Sequence, residues 1–339
     1  MTHSVTIKPS NHQFHVNQGE TLLDAALREG YALPYGCRNG ACGACKGKVL
    51  EGSLDYGDYQ AHALSEEEKR QGMALFCCAR PQSDLVIEVK EIGAAKDIQV
   101  RTMPCRVEKV EHPADDVAVL YLKLPANERL QFLAGQYIDI LMKDGKRRSF
   151  SLANAPHDDA FLQLHVRYLA GGAFTEYVFK TMKEKDILRF EGPLGSFFLH
   201  EDSAKPIVFL ASGTGFAPVK AIVEHAFHIG IQREMVFYWG ARNRKDLYLA
   251  ELAERWQQER PNFRFVPVLS EPAPEDNWSG RTGLVHQAVM EDFADLSAYE
   301  IYACGNPAMV ETAHGAFISE RGLPEGQFFS DAFFIAAKK

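Results

Sequence analysis

A group of cysteines near the start of the chain constrains its fold and chemistry more than any other feature. Cys37, Cys42 and Cys45 are spaced C-x4-C-x2-C, and the pair Cys77-Cys78 follows at a distance. This spacing is typical of a [2Fe-2S] cluster, in which four thiolates hold two irons. A zinc site, which prefers paired C-x2-C units, or unrelated buried thiols would not explain the four-residue gap. Chemistry alone leaves open which of Cys77 and Cys78 is the fourth ligand, because adjacent side chains point in different directions.

Composition and charge limit the classes of function. The 339 residues are 46% hydrophobic and 24% charged, which is enough for two or three globular domains. Because the net charge of -8 is spread along the chain and no apolar run is long enough to cross a membrane, we expect neither a nucleic-acid nor a membrane role. The polar first residues lack a signal-peptide pattern, and seven cysteines cannot all pair, so the sequence favours a cytoplasmic protein without a disulfide framework.

The patterns of strands and helices divide the chain into three segments. The first combines alternating strands with a short helix, Leu22 to Glu29, which Thr21 can cap and Gly30 can end. The second contains alternating strands with few helices, and the third alternates apolar strands with helical stretches. We predict a multidomain protein with an α+β domain over 1–92, a linker over 93–101, an antiparallel β-barrel over 102–200 and a parallel α/β domain over 201–339.

The second segment carries a pattern suited to a flavin nucleotide. The run Arg148-Ser149-Phe150-Ser151 places a cation and two hydroxyls at the end of a predicted strand, a set that suits a phosphate and a polar ring edge. By itself this run would be an ordinary surface strand. The order of the later motifs, 165–167, 172–175 and 192–197, strengthens the interpretation.

Two loops of the third segment connect an apolar strand to a helix. The loops 212–218 and 304–309 contain glycines, and such turns bind phosphates through backbone N–H groups and the helix dipole. One G-x-G alone would be a common tight turn. Two such loops at the carboxyl ends of strands in one parallel sheet indicate a nucleotide site.

Together, these motifs resemble those of oxygenase-type reductases in the ferredoxin–NADP reductase superfamily, and the whole chain is similar to the reductases of CDP-6-deoxyhexulose dehydrases. The resemblance implies a β-grasp ferredoxin domain, a barrel that binds FAD and a domain that binds NAD(P)H. It selects Cys77 as a ligand, since the family's ligand stands two residues before the alanine found here as Ala79. The implied iron ligands are Cys37, Cys42, Cys45 and Cys77.

The resemblance also implies roles for individual residues. Arg148 would meet the FAD pyrophosphate, Phe150 would pack on the flavin where the family usually has Tyr, and the implied catalytic residues are Ser151, Cys304 and Asp331. Asp246 would suit the free ribose hydroxyls of NADH, which the resemblance favours, whereas Arg242 or Arg244 could accept the 2′-phosphate of NADPH. The residues implied to bind the two nucleotides are Arg148, Ser149, Phe150, Ser151, His165, Val166, Arg167, Gly172, Ala173, Phe174, Thr175, Gly213, Thr214, Gly215, Pro218, Arg242, Asp246, Cys304, Gly305, Asn306, Met309 and Phe333.

The cofactors suggest an order of electron transfer. A nicotinamide gives up two electrons as a hydride and a [2Fe-2S] cluster takes one, so a flavin must lie between them. We predict an NAD(P)H-dependent reductase, monomeric, that passes electrons to a partner oxygenase or deoxysugar dehydrase. Two alternatives remain open: a reductase of small acceptors such as quinones or ferric complexes, and a non-enzymatic redox sensor.

Overall fold

The computed structural model describes residues 2–93 and 98–334, which fall into two compact units. One unit comprises the residues up to Gln99 together with Phe334, and the other comprises Val100–Phe333. The predicted linker lies partly outside the described residues, at 94–97. No helix in the two described ranges is long and apolar enough to cross a membrane.

The first unit contains a five-stranded mixed sheet in the order β2-β1-β7-β3-β5, which confirms the predicted β-grasp domain. The Thr21 hydroxyl accepts a hydrogen bond from the Asp24 N–H and so caps α1, and Gly30, with φ of +86°, follows its end. The elements are β1 His3–Lys8, β2 Gln13–Val16, α1 Leu22–Arg28, β3 Lys46–Glu51, β4 Leu54–Asp55, α2 Glu66–Arg70, β5 Met73–Leu75, β6 Arg80–Pro81 and β7 Leu85–Glu88.

The second unit begins with the predicted antiparallel barrel. Its six strands follow the order β11-β10-β13-β8-β9-β12, and a bridge between Leu152 and Leu164 joins the two ends. Alternate side chains such as Leu120, Ile138 and Phe190 fill the interior. The elements are β8 Arg101–Ala114, β9 Val117–Lys123, β10 Tyr137–Leu141, β11 Arg147–Ser151, β12 Leu162–Arg167, α3 Ala173–Lys180 and β13 Ile187–Leu194.

The remaining elements form the predicted α/β domain, a parallel sheet in the order β17-β16-β15-β14-β18-β19. One apolar cluster packs α4 and α5 on one face, and a second packs α6 and α7 on the other. The elements are β14 Ile207–Ser212, α4 Phe216–His228, β15 Met235–Ala241, α5 Ala250–Glu259, β16 Phe263–Leu269, β17 Arg281–Thr282, α6 Val285–Asp292, β18 Glu300–Gly305, α7 Pro307–Arg321 and β19 Phe328–Ala332.

A buried cation connects the barrel to the parallel sheet. The Lys220 ammonium on α4 donates hydrogen bonds to the Ala153 carbonyl at 3.1 Å and to the Glu224 carboxylate at 2.8 Å. A buried charge is tolerated when it is paired and hydrogen-bonded, and breaking such a pair is costly. This contact fixes α4 and the loop before it against the end of strand β11.

Candidate functional site

The loop from Cys37 to Cys45 directs backbone N–H groups at sulfur atoms. Cys37 Sγ accepts from the N–H of Ala41 at 3.4 Å and of Cys42 at 3.3 Å, and the Cys37 N–H donates to Cys42 Sγ at 3.3 Å. Such bonds stabilise thiolates. A Cβ at Gly40, where φ is +72°, would lie 2.8 Å from Cys78 Sγ, so the loop needs glycine there.

The cysteine side chains associate in two pairs. A hydrogen bond from Cys42 lowers the pKa of Cys37, and one from Cys45 lowers the pKa of Cys77. Two thiol pairs suit a cluster of two irons, because each iron takes two protein ligands. The thiol of Cys78 lies beside this set, with its Sγ 3.6 Å from Cys77 Sγ. Because Cys77 contacts both Cys45 and Cys78, its role as the fourth ligand stays a prediction.

Strand β11 and helix α3 bring several predicted flavin residues together. The rings of Phe150 and Phe174 pack with centroids 5.1 Å apart, and Gly172, the N-cap of α3, has no side chain to occupy the N–H groups of the first turn. Those groups can bind a phosphate. Ser149 Oγ instead donates to Asp139 at 2.6 Å, and Arg148 Nη1 donates to the Arg147 carbonyl at 2.7 Å. Ala173 and Thr175 share the first turn of α3.

Strand β12 supplies three predicted residues with different surroundings. Val166 belongs to the barrel core, so only its backbone can meet a cofactor. The buried His165 ring lies 2.9 Å from the Tyr248 hydroxyl through Nδ1, while its Nε2 has no hydrogen-bond partner among the described residues. Burial lowers the pKa of His165 to about 3, so this ring is neutral.

The guanidinium of Arg167 faces the first glycine loop. Its Nη1 lies 3.5 Å from the position that a Cβ would take on Gly213. The Arg167 Nε is 3.5 Å from the Asp116 carboxylate, within ion-pair distance, yet Nε and Nη2 are buried without a hydrogen-bond partner in the described part of the chain. Unpaired buried donors are costly, and a diphosphate would satisfy them. The structure therefore places Arg167 where it can bind a dinucleotide.

The two glycine loops interlock. Cys304 Sγ donates to the Gly215 carbonyl at 2.9 Å, and a Cβ on Gly215 would lie 2.4 Å from the Cys304 carbonyl oxygen. Gly305 has φ of +118°, and a Cβ there would lie 2.5 Å from the Ser212 carbonyl oxygen. Both glycines are therefore required by the close approach of backbones, and Gly305 also by its positive φ.

The other predicted residues of these loops have structural roles. The Asn306 side chain caps α7, because its oxygen accepts a hydrogen bond from the Ala308 N–H at 2.9 Å. This oxygen is therefore less available to a ligand. Pro218 is buried in the first turn of α4, Met309 packs against an apolar cluster, and Thr214 lies between the two glycines of the short 3-10 turn.

The three predicted catalytic residues meet at the end of the parallel sheet. Strand pairing places Asp331 beside Cys304, and Ser151 Oγ donates to Asp331 Oδ2 at 3.2 Å. Burial raises the pKa of Asp331 to about 6 and also raises the pKa of Cys304, so the Cys304 thiol is neutral. The Phe333 N–H donates to the Gly305 carbonyl at 2.8 Å, which places Phe333 beside the second loop.

A cavity of about 650 Å³, here called the adenosine cavity, lies between the barrel hairpin 113–116 and the turn 242–248. Asn243 Oδ1 and Asp246 Oδ2 are buried without a hydrogen-bond partner among the described residues, although Arg242 Nε is 3.5 Å from Asp246 Oδ2. Two unsatisfied acceptors suit the hydroxyls of a ribose. The sequence motifs did not identify Asn243, because nothing in the local sequence distinguishes it from the rest of the turn. They also did not identify the hairpin 113–116, because it comes from a different sheet.

Three family models match successive parts of the chain. The 2Fe-2S iron-sulfur cluster binding domain matches residues 5–82, the oxidoreductase FAD-binding domain matches 104–199, and the oxidoreductase NAD-binding domain matches 209–315. The matched segments include, in turn, the paired cysteines, the strands that carry Arg148 and Arg167, and both glycine loops.

Relatives match over almost the entire length. The chain is 42% identical over 333 residues to the CDP-6-deoxy-L-threo-D-glycero-4-hexulose-3-dehydrase reductase of Yersinia pseudotuberculosis, covering 98% of this chain and 99% of the relative. It is 34% identical to the phenol hydroxylase P5 protein of Acinetobacter pittii, covering 99% and 96%. The crystal structure of the Amycolatopsis cytochrome P450 reductase GcoB superposes with a TM-score of 0.83 at 34% identity, covering 99% and 100%.

Proposed function

The chain belongs to the family of NAD(P)H-dependent reductases that combine a [2Fe-2S] domain with FAD- and NAD-binding domains, and we propose that its partner is a deoxysugar dehydrase. As a member of this family, it is an oxidoreductase that moves electrons from NAD(P)H by way of FAD and the cluster to a partner protein. The observation that carries the choice of partner is the 42% identity to a dehydrase reductase over nearly the whole of both chains, compared with 39% over 90% of this chain for an aromatic O-demethylase reductase subunit and 34% for the phenol hydroxylase protein.

The flavin, when bound, accepts a hydride and releases electrons singly, which matches the one-electron capacity of the cluster. The protein's part is to bind and orient. We assign the diphosphate of the nicotinamide cofactor to Arg167 and the glycine loops, and the adenosine ribose to Asn243 and Asp246. Cys304, locked onto Gly215, would fix the position of the nicotinamide ring, while Ser151 and its partner Asp331 would border the reacting atoms.

The partner is tested by reconstitution. We expect the purified protein, mixed with the dehydrase served by the Yersinia relative and its CDP-6-deoxyhexulose substrate, to oxidise NADH in a sugar-dependent manner, because electrons must leave through the dehydrase. The measurement is absorbance of NADH with and without the sugar, with cytochrome c reduction as the control for an active reductase. A reductase that reduces cytochrome c but shows no sugar-dependent oxidation would refute this partner, and turnover with a phenol hydroxylase instead would favour an oxygenase.

We also propose NADH as the preferred coenzyme. The buried Oδ2 of Asp246 lacks a hydrogen-bond partner among the described residues and suits a free ribose hydroxyl, whereas the carboxylate would repel a 2′-phosphate. We expect kcat/KM for flavin-dependent cytochrome c reduction to be at least about tenfold higher with NADH than with NADPH, as one well-placed carboxylate can produce. Equal or reversed kcat/KM values for the two coenzymes would instead indicate that Arg242 or Arg244 recognises the 2′-phosphate of NADPH.

A further inference from the structure

The charges that line the adenosine cavity come from two different sheets. Four carboxylates and three cations line it: Asp115, Asp116, Asp246 and Glu271 against Arg242, Arg244 and Lys245. Two of the four carboxylates belong to the barrel, and the rest of the charged lining belongs to the α/β domain. Without the barrel's contribution, cations would outnumber carboxylates in this cavity.

The acidic hairpin of the barrel, Asp115-Asp116, is held firmly in place. These are the two turn residues between β8 and β9, whose pairing ends at Ala114 and Val117. The Tyr168 N–H donates to the Asp116 carbonyl at 2.8 Å, which ties the turn to the residue after β12. Asp115 is exposed and Asp116 is partly exposed, and both residues line the solvent-accessible cavity.

Two of the cations in the cavity already have partners in the protein. Arg242 lies 3.5 Å from the Asp246 carboxylate, and Arg244 Nη1 donates to the Asp276 carbonyl at 3.3 Å. A 2′-phosphate would have to compete with these partners while approaching the two carboxylates of the hairpin, of which Asp116 also lies near Arg167. An adenosine with a free 2′-hydroxyl would meet no such repulsion.

We propose that the acidic hairpin determines coenzyme choice by excluding the 2′-phosphate of NADPH from the adenosine cavity. The inference rests on the proposed preference for NADH and adds a second determinant from the barrel. Specificity of this kind arises from repulsion of the wrong ligand rather than added attraction for the right one. Because Asp116 also lies near Arg167, its charge has a second possible effect on the diphosphate, whereas no such contact involves Asp115 among the described residues.

The test compares charge-neutral variants of the holoenzyme. In the Asp115→Asn/Asp116→Asn protein we expect the kcat/KM ratio of NADH to NADPH to fall on the order of tenfold, mainly through a gain with NADPH. Asp115→Asn alone should lower the ratio roughly threefold, and both effects should shrink as salt is raised from about 0.02 to 0.5 M, because exposed charges are screened. Glu184→Gln/Asp202→Asn changes the net charge equally at exposed positions outside the cavity and should leave the ratio unchanged.

Binding of coenzyme fragments gives a readout independent of turnover. Calorimetric titration of the oxidised holoenzyme with ADP-ribose and 2′-phospho-ADP-ribose should show the same shift, with the phosphorylated fragment binding more tightly to the double variant. If the wild type favours NADH but the double variant keeps its ratio, the hairpin inference is wrong and the NADH proposal stands. If the wild type favours NADPH, both are wrong. If both fragments change affinity equally, the hairpin acts only through Arg167 and the inference is also wrong.

Discussion

Replacing Cys77 by serine should abolish electron delivery to a protein acceptor while leaving flavin reduction by NADH intact. Serine exchanges a soft thiolate for a hard, poorly ionised oxygen, so the cluster should be lost or bound weakly. The residues assigned to FAD and the nicotinamide cofactor all lie in the unit Val100–Phe333, whereas the paired cysteines lie in the other unit. Cytochrome c reduction should therefore fall at least about a hundredfold, and ferricyanide, which can take electrons from a flavin edge, should still be reduced.

The matched control is Cys78→Ser. It makes the same replacement of sulfur by oxygen in the neighbouring residue, whose Sγ lies 3.6 Å from Cys77 Sγ. We expect iron content, visible absorption and the EPR signal of the reduced cluster to persist in this variant and to disappear in Cys77→Ser. The opposite result would identify Cys78, and not Cys77, as the fourth ligand. Full cytochrome c activity in both variants would contradict the proposed electron order.

The fold was predictable where its signals are local. Patterns of apolar residues identified the strand-rich second segment and the alternating strands and helices of the third, and Thr21 and Gly30 marked the ends of α1. The cysteine spacing was informative because a loop around a cluster is continuous in sequence. In each case the determining interactions lie within a few residues of one another.

The parts of the site that escaped prediction depend on contacts between distant segments. His165 and Tyr248 pair across 83 positions of the chain, and the acidic hairpin reaches the adenosine cavity only because the barrel packs beside the parallel sheet. Nothing local marks Lys220 as buried, since α4 shows an ordinary helical pattern and the Ala153 carbonyl that accepts its hydrogen bond comes from the barrel. Motifs therefore identified the kinds of cofactor, and tertiary packing decided which polar side chains line their sites.

Replacing Cys304 by leucine should slow reduction of the flavin by NADH on the order of a hundredfold without releasing FAD. The thiol is fully buried and donates to the Gly215 carbonyl, so the longer side chain has to displace the interlocked glycine loops. A displacement of about one ångström at reacting atoms can cost about that factor in rate. Stopped-flow absorbance gives the hydride-transfer rate, and bound FAD and thermal unfolding report whether the protein remains folded.

The Cys304→Ala variant distinguishes a role of Cys304 in positioning the nicotinamide from a chemical role of its sulfur. Burial raises the pKa of this thiol, which keeps it protonated and removes any role as a thiolate. Alanine removes the sulfur without displacing the glycine loops. We therefore expect a hydride-transfer rate within several-fold of that of the wild type. If alanine is as slow as leucine while FAD stays bound, the sulfur itself takes part in the reaction. If leucine is as fast as the wild type, Cys304 does not border the nicotinamide, and the meeting of Ser151, Cys304 and Asp331 is a feature of packing alone.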